Sequence, residues 1–154
     1  MTLDFRASFI AGIFASIVSL AGGMAVLHLL HDQAVMLPRL IATIAFGRDA
    51  LDPERVSDAT AVLAGGVIHL VLGLLFALVI SVTLHRWGFW VGLIGGALFG
   101  VALYAINMYT MSHFFPEFYD FRSWFMVGFH VVFGALCGGI YEALERDRKS
   151  MFRG

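Results

Sequence analysis

The chain has 154 residues, of which 60% are hydrophobic and 14% carry a formal charge. Its mean hydropathy of +0.85 is higher than a water-soluble domain of this length can accommodate, so the composition predicts an integral membrane protein. The formal net charge is −1, and basic residues cluster only in the C-terminal run 146–153, which excludes nucleic acid as an expected partner. A single cysteine, Cys137, excludes an internal disulfide and a metal site built from cysteines.

Four apolar runs are long enough to cross a bilayer as α-helices. The first covers residues 7–30, and the last covers residues 123–144. The runs 59–84 and 88–111 are separated by so few residues that they predict an antiparallel helical hairpin. The sequence therefore predicts an all-α polytopic membrane protein, with residues 1–154 forming a single four-helix transmembrane bundle.

The connection between the first two runs contains a shorter helical pattern. Pro38 suits the first turn of a helix and Gly47 suits its end, so residues 38–47 predict a short helix. It is too short to span the bilayer, and we expect it at the membrane interface or folded against the bundle. Asp52 followed by Pro53 is typical of an N-cap and a first turn, which predicts that the second long helix begins there.

Charge distribution predicts the orientation in the membrane. Four spans place both chain ends on one side, where six Lys and Arg residues lie, against four on the other side. The positive-inside rule therefore favours cytoplasmic N and C termini. Glu142 and Arg146 are four residues apart in the order that favours an ion pair, so the fourth helix is expected to continue into the cytoplasm.

Small residues recur every four positions in several spans, as in a glycine zipper. Such ladders let neighbouring helices approach backbone to backbone inside lipid. The ladders occupy more helix faces than an isolated four-helix bundle uses. The expected partners are therefore the bilayer and either other membrane subunits or further copies of the chain. The glycines predicted to pack helices are Gly92, Gly96 and Gly100 on the third span and Gly134 and Gly138 on the fourth.

Two histidines lie well inside predicted spans. Each lies about 16 residues before the arginine that ends its helix, Arg86 for His69 and Arg146 for His130. The two imidazoles should therefore lie at similar depth in the membrane if the helices are neighbours. Two imidazoles beside glycines on parallel helices suit a haem b, and a metal or quinone site is a further possibility. The other interpretation is that each histidine is neutral and hydrogen-bonded to a backbone carbonyl, or to Tyr104 or Asn107 in the polar interior of the bundle.

Three further histidines are predicted near the outer boundary of the membrane. His28 and His31 end the first span, and His113 lies in the last connection near Glu117 and Asp120. Histidine and carboxylate side chains together can bind a divalent metal ion. The alternative is that these histidines contact lipid headgroups as interfacial anchors.

The spans contain no nucleophile with a base, no phosphate-binding glycine loop and no pair of intramembrane carboxylates, so we expect a non-enzymatic protein that requires no cofactor. The leading hypothesis is an accessory or assembly subunit of a larger inner-membrane complex, such as a respiratory complex. Two alternatives stay open. One is an electron-transfer subunit that binds haem b, a metal or a quinone, and the other is a small oligomeric transporter.

Several segments resemble a family of small uncharacterised bacterial four-helix inner-membrane proteins, whose members are sometimes labelled sodium:proline symporters. They are PRLIATIAFG (38–47), HLVL (69–72), GGALFGVALYAINMY (95–109), FPEF (115–118), RSW (122–124) and HVVFG (130–134). The resemblance covers nearly the whole chain. It implies a four-helix fold and a multi-pass location in the bacterial inner membrane, and it implies no activity.

Overall fold

The computed structural model describes the backbone of residues 3–151 and the side chains of residues 3–145. The described residues form helices and turns, with no β-strand among them. The six α-helices are α1 (Phe5–His31), α2 (Met36–Phe46), α3 (Asp58–Leu84), α4 (Phe89–Ala105), α5 (Met111–Phe114) and α6 (Trp124–Met151). Short 3-10 helices follow α2 (Gly47–Leu51) and α5 (Pro116–Phe121), and a π-helical turn (Ile106–Thr110) joins α4 to α5.

Four helical segments are long and apolar enough to cross a membrane, namely Phe5–His31, Asp58–Leu84, Phe89–Phe114 and Trp124–Glu145. The predicted all-α bundle of four spans, with a short helix between the first two, is confirmed. Large apolar side chains such as Leu63, Leu75 and Leu98 are exposed on the outside of these helices. Such surfaces suit contact with lipid, so the protein is a multi-pass membrane protein.

The start of α3 differs from the prediction. Asp52 does not cap this helix, because its carboxylate accepts a hydrogen bond from the backbone N–H of Glu54, and residues 52–56 form a separate turn. Ser57 is the N-cap, with its hydroxyl oxygen 3.3 Å from the backbone nitrogen of Thr60. Both residue types suit an N-cap, and the Asx turn at Pro53 gives Asp52 another partner.

Helix α6 is central to the bundle. It packs most extensively on α4 and also contacts α1 and α3. A Cβ atom added at Gly96 would lie 2.1 Å from the carbonyl oxygen of Gly134, and one at Gly100 would lie 2.1 Å from that of His130. No side chain fits at that separation, so the two backbones are in direct contact. The glycines of this interface are Gly92, Gly96, Gly100, Gly134 and Gly138.

The small residues of α1 are also used inside the bundle. Ala11 is fully buried in a cluster with Tyr141 of α6. A Cβ atom added at Gly12 would lie 2.8 Å from the Cβ of Ala77 on α3. The glycine ladders of α4 and α6 and these small residues of α1 are thus occupied by other helices of the same chain. The ladders therefore give no support to contact with a second subunit, which was the observation behind the accessory-subunit hypothesis.

Helix α2 is folded against the bundle, one of the two positions predicted for it. Leu40 is fully buried, and a Cβ atom added at Gly65 of α3 would lie 2.2 Å from the carbonyl oxygen of Pro38. The guanidinium of Arg39 is buried as well. Its Nε donates to Asp58 Oδ1 at 3.1 Å, and its Nη1 donates to the carbonyl oxygen of Ala50 at 2.7 Å. These bonds fasten α2 to the first turn of α3, and this end of the bundle is called the α2 end below.

Candidate functional site

A cavity of about 100 Å³ lies inside the bundle, between α2 and the middle of the long helices. Most of its walls are apolar. Among the described residues, no Asp, Glu, Lys or Arg side chain lines it. The polar side chains of the lining are Ser19 from α1, His69 from α3, Asn107 from the π turn and His130 from α6. The two candidate histidines and Asn107 therefore face one common space.

His69 reaches from α3 towards α1. Its Nε2 lies 3.2 Å from the backbone carbonyl oxygen of Ser16 and 3.2 Å from Ser19 Oγ, and the Ser19 hydroxyl also donates to the Ser16 carbonyl. A carbonyl oxygen can only accept, so Nε2 carries the ring proton and donates it. The other ring nitrogen, Nδ1, is then an acceptor, and it has no hydrogen-bond partner among the described residues.

His130 uses both ring nitrogens within the protein. Its Nδ1 lies 2.7 Å from the backbone carbonyl oxygen of Met126, to which it donates. Its Nε2 lies 3.1 Å from the amide nitrogen of Asn107, from which it accepts. These partners assign the neutral tautomer with the proton on Nδ1. Tyr104, half-buried on α4, packs edge-on against this imidazole with ring centroids 5.7 Å apart.

The π turn positions Asn107. A π turn changes the hydrogen-bond register of a helix, leaves backbone groups to be satisfied otherwise, and is frequent at functional sites. Here Arg122 supplies a partner, because its Nε donates to the carbonyl oxygen of Met108 at 3.0 Å. The Arg122 guanidinium also lies 4.1 Å from the centre of the Tyr109 ring, in a cation–π contact. Arg122 thereby stabilises the turn that directs Asn107 at His130.

The apolar walls of the cavity combine leucine and isoleucine side chains with aromatic and methionine side chains. Methionine is unbranched and flexible, so it adapts to ligands of different outline and contacts aromatic rings favourably. An apolar cavity with a few convergent polar groups is the usual form of a small-molecule site. The aromatic and methionine residues of the lining are Phe76, Phe118, Phe129, Phe133, Met108, Met111 and Met126.

Haem b fits this cavity poorly. Ligation of iron by His130 would require an imidazole nitrogen to give up either Met126 or Asn107 as its partner. An apolar cavity of about 150 Å³ holds a single benzene ring, so a space of about 100 Å³ is too small for a tetrapyrrole. The geometry thus favours hydrogen-bonded histidines, and an absorbance spectrum without a Soret band is the result we expect.

The three histidines proposed for a metal lie elsewhere, on exposed positions. His28 and His31 are in the last turn of α1, and His28 Nδ1 lies 3.2 Å from Asp32 Oδ1. His113 is in the single turn of α5. In the part of the chain that the structure describes, no group of three or more His, Cys, Asp or Glu side chains is arranged to hold a metal ion. The metal hypothesis therefore gains no geometric support.

A second polar cluster, which the sequence did not reveal, lies at the opposite end of the bundle from α2. Glu142 is buried and accepts a hydrogen bond from the backbone N–H of Gly88, at 2.9 Å. His85 Nδ1 lies 2.7 Å from Tyr141 Oη and 3.3 Å from Glu145 Oε1. For Glu142, sequence spacing indicated only an ion pair along α6. The partner predicted for Glu142, on residue 146, lies outside the described side chains.

Comparison of the chain with protein-family models, with curated proteins and with solved structures finds no match. The resemblance to a family of small membrane proteins therefore stays a prediction. What the structure itself defines is a multi-pass helical membrane protein with a polar-lined cavity inside the bundle.

Proposed function

We propose that the protein is a non-enzymatic membrane protein that binds a small, neutral, lipophilic molecule in the cavity between His69 and His130. The observation that carries this proposal is the convergence of four uncharged polar side chains on one otherwise apolar space. Ionisable side chains inside spans are rare and indicate a functional site by default, and two of these four side chains are histidines. This function belongs to the quinone-binding alternative of the sequence analysis.

Packing alone does not account for the arrangement. His130 obtains its second hydrogen bond from a π turn, and the Arg122 side chain donates to the Met108 carbonyl of that turn. Such turns are rare in helices and are frequent at functional sites. His69 lines the cavity, and its acceptor nitrogen Nδ1 has no hydrogen-bond partner among the described residues. A bound molecule would supply the missing hydrogen-bond donor to Nδ1 of His69, since buried polar groups are normally hydrogen-bonded.

The chemistry of the lining supports a neutral ligand from the lipid phase. Within residues 3–145 no ionised side chain lines the walls, so a charged ligand would be desolvated without compensation. Helices α3 and α4 contact each other much less than α4 contacts α6. Their close approach includes Leu84 against Gly95, beside the turn that joins them. We place the entry of the ligand between α3 and α4, farther from that turn.

We also propose that the protein lies in a bacterial inner membrane with its termini in the cytoplasm. The six basic residues on the terminal side support cytoplasmic termini. Exposed tryptophans near both ends of the bundle, such as Trp87 and Trp124, support a position across the membrane. Cysteine labelling of intact cells tests the orientation. Gln33→Cys, on the α2 end, should react before permeabilisation, and Trp87→Cys should react only afterwards. The reverse pattern would invert the topology.

No observation in the described residues favours an accessory subunit, a haem-bearing subunit or an oligomeric transporter over a binding protein. The bilayer is the partner that the exposed apolar surface supports. Association with other subunits would have to use surfaces other than the glycine ladders, since these are filled within the chain.

Native mass spectrometry tests the proposed function. Protein purified from its own membranes in mild detergent should retain a small lipophilic molecule, which organic extraction releases. Leu72→Trp adds a large ring at a position that lines the cavity and should lower ligand retention at least about tenfold. Leu75→Trp is the matched control, since this residue is exposed on the outside of the same helix. Equal retention by both variants would place the ligand outside the cavity.

A further inference from the structure

We infer that the ligand is an aromatic hydroxyl compound of the phenol or hydroquinone class, held by its hydroxyl hydrogen. This inference rests on the proposed function and names the chemistry of the same cavity. It follows from an inventory of the donors and acceptors that remain after the protein has satisfied its own hydrogen bonds.

The histidines offer an acceptor and no donor. His130 has no nitrogen left, because Nδ1 donates to Met126 and Nε2 accepts from Asn107. His69 donates its Nε2 hydrogen to the carbonyl oxygen of Ser16, so only the lone pair of Nδ1 is left to bind a ligand. A ligand bearing a hydroxyl group can donate to that lone pair. A ligand bearing only carbonyl oxygens leaves it unpaired.

Asn107 adds to the acceptors. One of its amide hydrogens goes to His130, and its Oδ1 has no hydrogen-bond partner among the described residues. The side chain therefore offers one acceptor oxygen and one remaining N–H. Ser19 donates its hydroxyl hydrogen to the carbonyl of Ser16. The free groups of the cavity are thus two acceptors against a single amide donor, which favours a ligand that donates.

The side chains that line the cavity favour a ligand whose hydroxyl group is attached to an aromatic ring. Phenylalanine rings such as Phe129 and Phe133 offer edge and face contacts, and Met108 and Met126 offer thioether contacts to an aromatic ligand. The volume admits at most one ring, so an alkyl tail would extend between α3 and α4 into lipid. A lipophilic hydroquinone combines these features with two hydroxyl hydrogens at opposite ends of one ring.

A matched series of three probes tests the inference on the unmodified protein. Decyl-hydroquinone, the corresponding decyl-quinone and the dimethyl ether of the hydroquinone share ring and tail, and only the first donates a hydrogen bond. Isothermal titration calorimetry in detergent, under anaerobic reducing conditions for the hydroquinone, gives the three dissociation constants. We expect the hydroquinone to bind at least about fivefold more tightly than either of the others, the effect of one net hydrogen bond.

The outcomes separate the inference from the proposed function. Equal or tighter binding of the quinone or the ether, abolished by Leu72→Trp, would overturn the hydroxyl assignment and leave the cavity as the site. Binding of none of the three probes, together with purified protein that retains no lipophilic molecule, would overturn both.

A variant identifies the acceptor. His69→Phe keeps a ring at this position and removes Nδ1, so the preference for hydroquinone over ether should fall by at least about threefold while the affinity for the ether changes little. His113→Phe, at an exposed histidine in α5, is the control and should keep the full preference. An unchanged preference in His69→Phe would overturn the role of His69. If His69→Phe does not fold, the probe series on the unmodified protein decides.

Discussion

The amide nitrogen of Asn107 lies 3.1 Å from Nε2 of His130, and this contact joins the π turn of the third span to the fourth span. Because Nε2 accepts, the imidazole is neutral and its proton is on Nδ1, which donates to Met126. Two spans and a turn thereby form one rigid wall of the cavity.

Replacing Asn107 should weaken this wall. Asn107→Leu leaves Nε2 of His130 without its donor inside the bundle, and we expect the free energy of unfolding to fall by about 1–3 kcal/mol. Denaturant unfolding in detergent measures the change. Thr110→Leu, at an exposed position of the same turn, should alter the free energy by less than about 0.5 kcal/mol. Equal effects of the two substitutions would show that the Asn107 contact contributes nothing to stability.

The interface between α4 and α6 should not accommodate even one methyl group added at a glycine. In Gly96→Ala the new Cβ would lie 2.1 Å from the carbonyl oxygen of Gly134, so the helices must separate. We expect a loss of about 1–3 kcal/mol in unfolding free energy, as for other overpacked interiors. Gly128→Ala on α6 is the control, because an added Cβ there meets nothing within 4 Å. If Gly96→Ala were as stable as Gly128→Ala, this result would contradict a direct backbone contact between α4 and α6 at Gly96.

Arg39 should hold α2 in place. Arg39→Met keeps much of the side-chain volume but leaves the carbonyl of Ala50 without its donor and removes the pairing with Asp58. We expect a loss of about 1–3 kcal/mol and faster proteolysis within residues 47–57. Arg55→Met removes an exposed arginine that pairs with Asp49, and such surface pairs contribute about 0–1 kcal/mol. Proteolysis of Arg39→Met at the rate of the unmodified protein would exclude the anchoring role.

Glu117 should make stability depend on acid pH. Its own backbone N–H and the Arg48 side chain hold the pKa of this carboxyl below its ordinary value of 4.5. The ionised form therefore stabilises the folded state at pH values above 4.5, and this contribution is lost as the pH falls through the lowered pKa. The difference in unfolding free energy between the unmodified protein and Glu117→Gln should shrink as the pH falls. Arg48→Met should reduce that pH dependence without abolishing it, and a difference that does not change with pH would contradict the assignment.

Much of the fold could be predicted because the bilayer imposes it. Apolar runs of spanning length have few alternatives to a helix, and the spacing of Pro38 and Gly47 correctly indicated a short helix between the first two spans. The start of α3 was harder, since Asp52 and Ser57 both suit an N-cap and only the folded turn shows which one is used.

The site was less predictable, because it depends on the register between helices. The sequence identified His69, His130 and Asn107 as polar residues of the spans, but not that Ser16 and Ser19 of α1 would contact His69. That contact depends on how closely α1 approaches α3 at Gly12. The π turn has no local sequence signature. The burial of Arg39 and Glu142 also runs against the usual exposure of charged residues, and it needed the structure.

Histidine ¹⁵N NMR of the purified protein tests the central claim most directly, since it reports on the cavity and on the surface in one spectrum. Titration with decyl-hydroquinone should shift the imidazole resonances of His69 and His130, with the larger shift at Nδ1 of His69, and should leave His28, His31 and His113 in place. Single histidine substitutions assign the signals. Shifts confined to the surface histidines, or no shift at His69 and His130 at saturating probe, would contradict a binding site in this cavity.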